Sequence, residues 1–217
     1  MPKRAAMFDL DGTLLDTLAD LGDSMNITLA AFGFPTHEYP FYRKAVGDGA
    51  PQLVTRSLPP EARTPETIRT ALVRMRAEYE RRWTLKTGPY DGILSLLADL
   101  HRRGTVITVL SNKPDAKTRD CVAHFFPGIP FAVVRGARDG VPLKPDPAAA
   151  LAIVRQLDIP AGEWLYVGDT DTDMQTAVSA GLFAVGAAWG FRDRDELLAH
   201  GAQTVIDAPA ELLPLLG

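Results

Sequence analysis

Asp9 and Asp11 stand two residues apart in the run Phe8-Asp9-Leu10-Asp11-Gly12-Thr13. The residues before them, Ala5-Ala6-Met7-Phe8, are all apolar, the pattern of a short buried strand. Side chains at i and i+2 of an extended backbone share a side. Both carboxylates therefore converge just past the strand end, where Gly12 lets the chain bend. Two anions that close repel each other, and their natural compensator is a hard divalent cation with oxygen ligands.

Three more polar clusters follow predicted strands. Ser111-Asn112 closes the β-branched run 105–110, offering a hydroxyl, an amide and backbone N–H groups to phosphate oxygens. Lys144 precedes Pro145-Asp146-Pro147, where prolines fix the backbone before a helix start, and makes a point charge for the same anion. Gly168-Asp169-Thr170-Asp171-Thr172-Asp173 closes the run 164–167, and its alternating carboxylates can hold Mg²⁺ directly and through water.

The elements that position these clusters are read from apolar periodicity. Leu14, Leu18, Leu21, Met25, Leu29 and Phe32 predict one long helix, stopped at Gly33. Pro35 and Pro40 mark a loop, Val46-Gly47-Asp48-Gly49 a glycine turn, and Leu53 to Leu58 a further helix. Thr64-Pro65 starts a helix running to Trp83. Beyond the linker at 88–92, strands and helices alternate: strands at 105–110, 131–134, 164–167, 183–187 and 204–206, and helices near 93–100, after Pro114, from Asp146, over 173–180 and around Leu197. Continuous apolar strands between amphipathic helices predict a parallel sheet covered on both faces. A parallel crossover needs only a dozen or more residues. The distance from Asp9 to the strand at 105 therefore implies an inserted helical domain. The expected division is 1–14 with 88–217 as an α/β core and 15–87 as the insertion.

Net charge is -4 and no run of basic residues occurs, which argues against nucleic-acid or membrane-surface partners. Cys121 is the only cysteine, so no internal disulfide forms. Four scattered histidines show no zinc-ligand spacing. With no 18-residue apolar segment either, a cytoplasmic protein is expected, monomeric or homodimeric.

Taken in order, Asp9-Leu10-Asp11-Gly12-Thr13, Ser111, Lys144 and Gly168 to Asp173 resemble the motif series of the haloacid dehalogenase superfamily of phosphohydrolases. The resemblance implies a Rossmann-like α/β core with an inserted helical cap domain, and Mg²⁺-dependent hydrolysis of phosphate monoesters through an aspartyl-phosphate, with a small phosphorylated metabolite as partner. It makes Asp9 the nucleophile and Asp11 the acid and base. Asp9, Asp11 (through its carbonyl) and Asp169 become metal ligands. Asp173 supports a metal-bound water or orients Lys144, while Lys144, Thr13, Ser111 and Asn112 hold the phosphoryl group. Asp11 sets the chain apart from the superfamily's dehalogenases, which lack the second aspartate and use no magnesium. Phe8 to Asp20, Val46 to Gly49, Val167 to Asp173 and Trp189-Gly190-Phe191-Arg192 further resemble phosphoglycolate phosphatases, which implies 2-phosphoglycolate as substrate, with Arg43 and Lys44 as candidates to attract its carboxylate. The alternatives are a β-phosphoglucomutase-like isomerase, a pyrophosphatase or nucleotidase, and a non-catalytic phosphate-binding regulator.

Overall fold

The first strand, β1 (Ala5–Phe8), is buried along its whole length. A computed structural model describes the chain over residues 2–217. The helix expected from Leu14 begins only at Leu18. Before it, the Leu10 carbonyl accepts from the N–H groups of Leu14 (3.0 Å) and Leu15 (2.9 Å), closing a turn. The chain then runs as β2 (Leu15–Asp16), paired with Gly88 and Pro89 in a two-stranded ribbon. Leu14 and Leu15 are fully buried there, which is why they fit the helical stripe without belonging to the helix.

Asp16–Gly88 forms one compact unit. It holds α1 (Leu18–Ala31), α2 (Tyr39–Ala45), α3 (Ala50–Ser57) and α4 (Pro65–Glu80). Helix α1 packs on α4 through apolar positions such as Met25, Leu29, Ala71 and Met75, all buried. Thr64 caps α4 as its sequence demands, accepting from Thr67 N–H at 3.1 Å. Two readings are corrected. Helix α4 stops at Glu80 rather than Trp83, and α2 occupies a segment read as loop and turn. Pro40 sits at the start of α2, where a missing N–H costs nothing, so it opens the helix instead of breaking one.

Within this unit Asp20 is a buried carboxylate, 1% exposed. It accepts from the N–H groups of Lys86 (3.0 Å) and Thr87 (2.9 Å) and from the Thr87 hydroxyl (2.8 Å). Helix α1 is thus tied to the segment that closes the insertion.

β3 (Gly88–Pro89) straddles the boundary, and the other unit goes on with α5 (Ile93–Arg102), β4 (Val106–Pro114), α6 (Asp115–Phe125), β5 (Val133–Ala137) and α7 (Ala148–Leu157). It ends with β6 (Trp164–Gly168), α8 (Asp171–Ser179), β7 (Phe183–Ala187), α9 (Arg194–Ala199) and β8 (Thr204–Ile206). Six strands form one sheet in the order β5-β4-β1-β6-β7-β8, every pair parallel. This is the expected Rossmann-like α/β core. Alternation divides the strands between faces: Ala5, Met7, Trp164 and Tyr166 join the core cluster with Ile153 of α7 and Met174 of α8. The strand expected at 131–134 lies two residues later, because Phe131 packs edge-on against Phe126 instead of entering the ladder.

Replacing Asp20 by alanine takes the acceptor from three donors, two of them on buried Thr87. We expect stability to fall by about 2–4 kcal/mol, read as a lower urea midpoint by circular dichroism. Asp20→Asn, which keeps an acceptor, should lose less.

Candidate active site

Strands β4, β1 and β6 are neighbours at the centre of the sheet, and being parallel they end at one edge. Ligands of open α/β sheets bind outside that edge. Asp9 follows β1, Ser111 to Lys113 lie in the last residues of strand β4, and Asp169 follows β6. Asp173 comes from the first turn of α8. The sheet thus brings together carboxylates up to 164 residues apart in the chain.

Asp9, Asp169 and Asp173 each present an oxygen, all within 4.8 Å of one another, and all three residues are buried. Lys144 Nζ lies among them, 2.8 Å from Asp9 Oδ1 and 2.6 Å from Asp173 Oδ1. Burial works against the lysine's charge, but Asp173 and Asp9 outweigh it and hold its pKa well above the usual range. Burial, then the charge of Asp173, pushes the Asp9 carboxyl up to about 7 against the partial relief given by Lys144. Asp169 is raised well above the carboxylate range by burial and by the charges of Asp173 and Asp9. One ammonium thus pairs with only two of three buried carboxylates, Asp9 and Asp173, while Asp169 has no cationic partner, a donor set that suits a hard divalent cation with oxygen ligands.

The carboxylates differ in how they are bound. Asp173 Oδ1 accepts from Lys144 and from the Tyr166 hydroxyl (3.2 Å), while Oδ2 accepts from the Thr170 N–H (3.1 Å) and hydroxyl (2.6 Å). Thr170 and Asp173 form a reciprocal capping box that starts α8 at Asp171, two residues before the expected start. Asp171 consequently leaves the cluster and faces Arg192 at 3.9 Å. Asp169 accepts from Thr13 Oγ1 at 2.6 Å and from Phe191 N–H at 2.8 Å.

The remaining expected residues are present with altered partners. Thr13 and Asn112 were both expected to face a phosphoryl group. The Thr13 hydroxyl instead donates to Asp169, and Asn112 exchanges two hydrogen bonds with the Lys144 backbone, at 2.9 and 3.1 Å. Ser111 Oγ accepts from Lys113 N–H at 3.2 Å. Asp11 does not join the triad: its two oxygens accept from Lys113 Nζ at 2.7 and 3.0 Å.

Lys113, Tyr166 and Thr170 escaped sequence reasoning. The Thr-x-x-Asp spacing of the capping box was a legible signal for Thr170, and the i+2 relation to Ser111 was one for Lys113. The stretch Trp189 to Arg192 wraps Asp169. Trp189 Nε1 donates to the Thr13 carbonyl (3.0 Å), and Phe191 and Arg192 N–H groups bind the Asp169 side chain and carbonyl. Two glycines make that approach feasible. A Cβ on Gly12, whose φ is +91°, would lie 2.2 Å from Asp169 Oδ2, and one on Gly190 would lie 2.2 Å from Asp169 Cβ.

A parallel α/β sheet with buried carboxylates and a lysine at its carboxyl edge defines a hydrolase-type site. Residues 6–187 match the family model of the haloacid dehalogenase-like hydrolases, and the chain belongs to that family as one of its enzymes. Among curated relatives, a phosphoglycolate phosphatase of Rhodospirillum rubrum is 34% identical, covering 100% of this chain and 92% of its own length. A phosphoglycolate phosphatase of Pseudomonas syringae pv. tomato is 32% identical, covering 96% of this chain and 78% of its own. A crystal structure from Lactobacillus delbrueckii subsp. bulgaricus matches over the whole of both chains, with 30% identity and a TM-score of 0.93. Among the described residues no helix is long and apolar enough to cross a membrane.

Gly190→Ala should cost about 1–3 kcal/mol, because the obstructing atoms include backbone that cannot swing aside, and calorimetry would show it. The pH dependence follows from Asp9. Its folded pKa lies above the unfolded 3.8, so its contribution to stability is present below about pH 4 and is lost as pH rises through about 7. In chelator-treated protein the melting temperature should carry that downward component, and Asp9→Asn should flatten it.

Proposed function

We propose that the chain is a phosphatase for small phosphate monoesters, with 2-phosphoglycolate as its substrate, Mg²⁺ as its cofactor and an aspartyl-phosphate intermediate on Asp9. The observation that carries the reading is the Lys144 ammonium held between Asp9 and Asp173 beside Asp169. A phosphate monoester is a dianion, so an anionic nucleophile reaches it only where charge is neutralised. The names and near-complete coverage of the relatives support phosphoglycolate as the ester.

Asp9, Asp169 and the Asp11 carbonyl would hold Mg²⁺, which when bound would supply part of that neutralisation. Lys144 supplies the rest, aimed by Asp173 and held at its backbone by Asn112. An Asp9 oxygen attacks phosphorus as the bond to the leaving oxygen breaks. Asp11 gives its proton to that oxygen, then takes one from the water that cleaves the aspartyl-phosphate and frees phosphate. The Ser111 hydroxyl and nearby backbone N–H groups orient the phosphoryl oxygens, and Thr13 orients Asp169.

Phosphate release from 2-phosphoglycolate, glucose 1-phosphate, pyrophosphate and a nucleoside monophosphate tests this. We expect Mg²⁺-dependent release, fastest from 2-phosphoglycolate, that falls by about 10³-fold or more in Asp9→Asn. Isomerisation of glucose 1-phosphate without release, or no turnover of any ester, would overturn it.

A further inference from the structure

Lys113 has no part in the chemistry above, yet the fold invests in it. Its side chain is only 5% exposed, at the carboxyl end of β4, and its ammonium bridges both oxygens of Asp11 at 2.7 and 3.0 Å. A buried ammonium is costly to desolvate, and a buried ion pair that served stability alone could be replaced, both partners together, by apolar side chains without loss. Its location ties it to the substrate. Ser111 and Lys113 are two residues apart on one strand, and Ser111 Oγ accepts the Lys113 N–H. The side chain that reaches Asp11 therefore comes from the strand end that faces the phosphoryl group.

If Asp11 protonates the leaving oxygen, that oxygen docks against the Asp11 carboxyl group, and whatever is bonded to it lies within reach of the next charged group along. In an α-phosphoryloxy acid a single carbon separates the ester oxygen from a carboxylate. A cation in direct contact with Asp11 is placed to receive such a carboxylate. The cations of the helical insertion that the sequence suggested for this task, Arg43 and Lys44, are exposed on the last turn of α2. A buried lysine fixed on a strand is the more selective reader, because less of its interaction is screened by water.

We infer that Lys113 recognises the carboxylate of an α-phosphoryloxy acid substrate, and that its contact with Asp11 sets carboxylate and leaving oxygen in register. This rests on the phosphatase reading above and names the residue that would select its substrate class.

The test compares wild type, Lys113→Met and Lys113→Arg on 2-phosphoglycolate, 2-phospholactate and ethyl phosphate, the last matched in size but without the carboxylate. Loss of one charged hydrogen bond predicts that kcat/KM of Lys113→Met falls about 10- to 100-fold more on the two acids than on ethyl phosphate. The excess should appear mainly in KM, and Lys113→Arg should retain part of the preference. A turnover-free reading comes from the wild type: 3-phosphonopropionate, but not propylphosphonate, should shift the Lys113 side-chain ammonium resonance. Equal losses on all three esters, or a shift with both phosphonates or neither, would overturn the inference while leaving the phosphatase standing. A wild type that favours 2-phospholactate, with the preference lost in Lys113→Met, would support the inference and refute phosphoglycolate as the substrate. A wild type without preference for either acid would overturn both.

Discussion

The site rests on an imbalance of charge in a dry place. Three carboxylates are buried together and one ammonium pairs with two of them, Asp9 and Asp173; the low dielectric that makes that attraction strong makes the mutual repulsion of the carboxylates strong as well. Such a cluster survives only if the surrounding structure cannot relax away from it. The central strands supply that stiffness. β1 is hydrogen-bonded on both sides, to β4 and to β6, and its residues are wholly buried. Asp9 is anchored further by its N–H, which donates to the Val167 carbonyl at 2.9 Å. Close approach of Gly12 and Gly190 shuts the remaining room around Asp169. Burial and that repulsion make the cluster attractive to cations and to a proton: burial first, then the charge of Asp173, push the Asp9 carboxyl up to about 7.

Topology turns this local problem into an assembly rule. Parallel strands can be neighbours only through long crossovers, so residues remote in sequence meet at one edge. Each motif is short, and each needs a strand to end where it begins. The insertion fits the same rule. Residues 16–88 build their own core from α1 and α4, and so a helical unit can interrupt the chain just after Asp11 without disturbing the sheet. Asp20, bound to the returning segment at Lys86 and Thr87, makes the two ends of that insertion one local structure.

The strongly apolar strands and the helix stripes were legible because burial on both faces leaves little choice of residue. Asp9, Lys144, Asp169 and Asp173 were legible because each follows a predicted strand. What escaped was set by partners rather than by local pattern. Leu14 and Leu15 satisfy a helical stripe, yet the Leu10 carbonyl and the pairing of β2 decide their backbone. Pro40 reads as a break until its place in the first turn is known. The hydrogen bonds of Thr13 to Asp169 and of Asn112 to the Lys144 backbone were likewise invisible in the sequence, because their partners lie 156 and 32 residues away. Lys113 looked like the tail of a polar turn because its partner, Asp11, lies 102 residues away.

The division of labour among the carboxylates follows from how many donors each one meets. Asp173 receives four, from Lys144, Tyr166 and both donors of Thr170. A carboxylate so occupied has its lone pairs committed and its orientation fixed, which suits it to aim a lysine and unsuits it to attack phosphorus. Asp9 shares that lysine through one oxygen, Oδ1, and among the described residues no other side chain donates to it. Its second oxygen keeps the lone pairs that a nucleophile or a metal ligand needs. Two aspartates equidistant from one ammonium, to within 0.2 Å, are thereby made chemically unequal by the hydrogen bonds around them. The proposed choice of Asp9 as the reacting group is therefore favoured by the capping box that starts α8 as much as by the motif that follows β1.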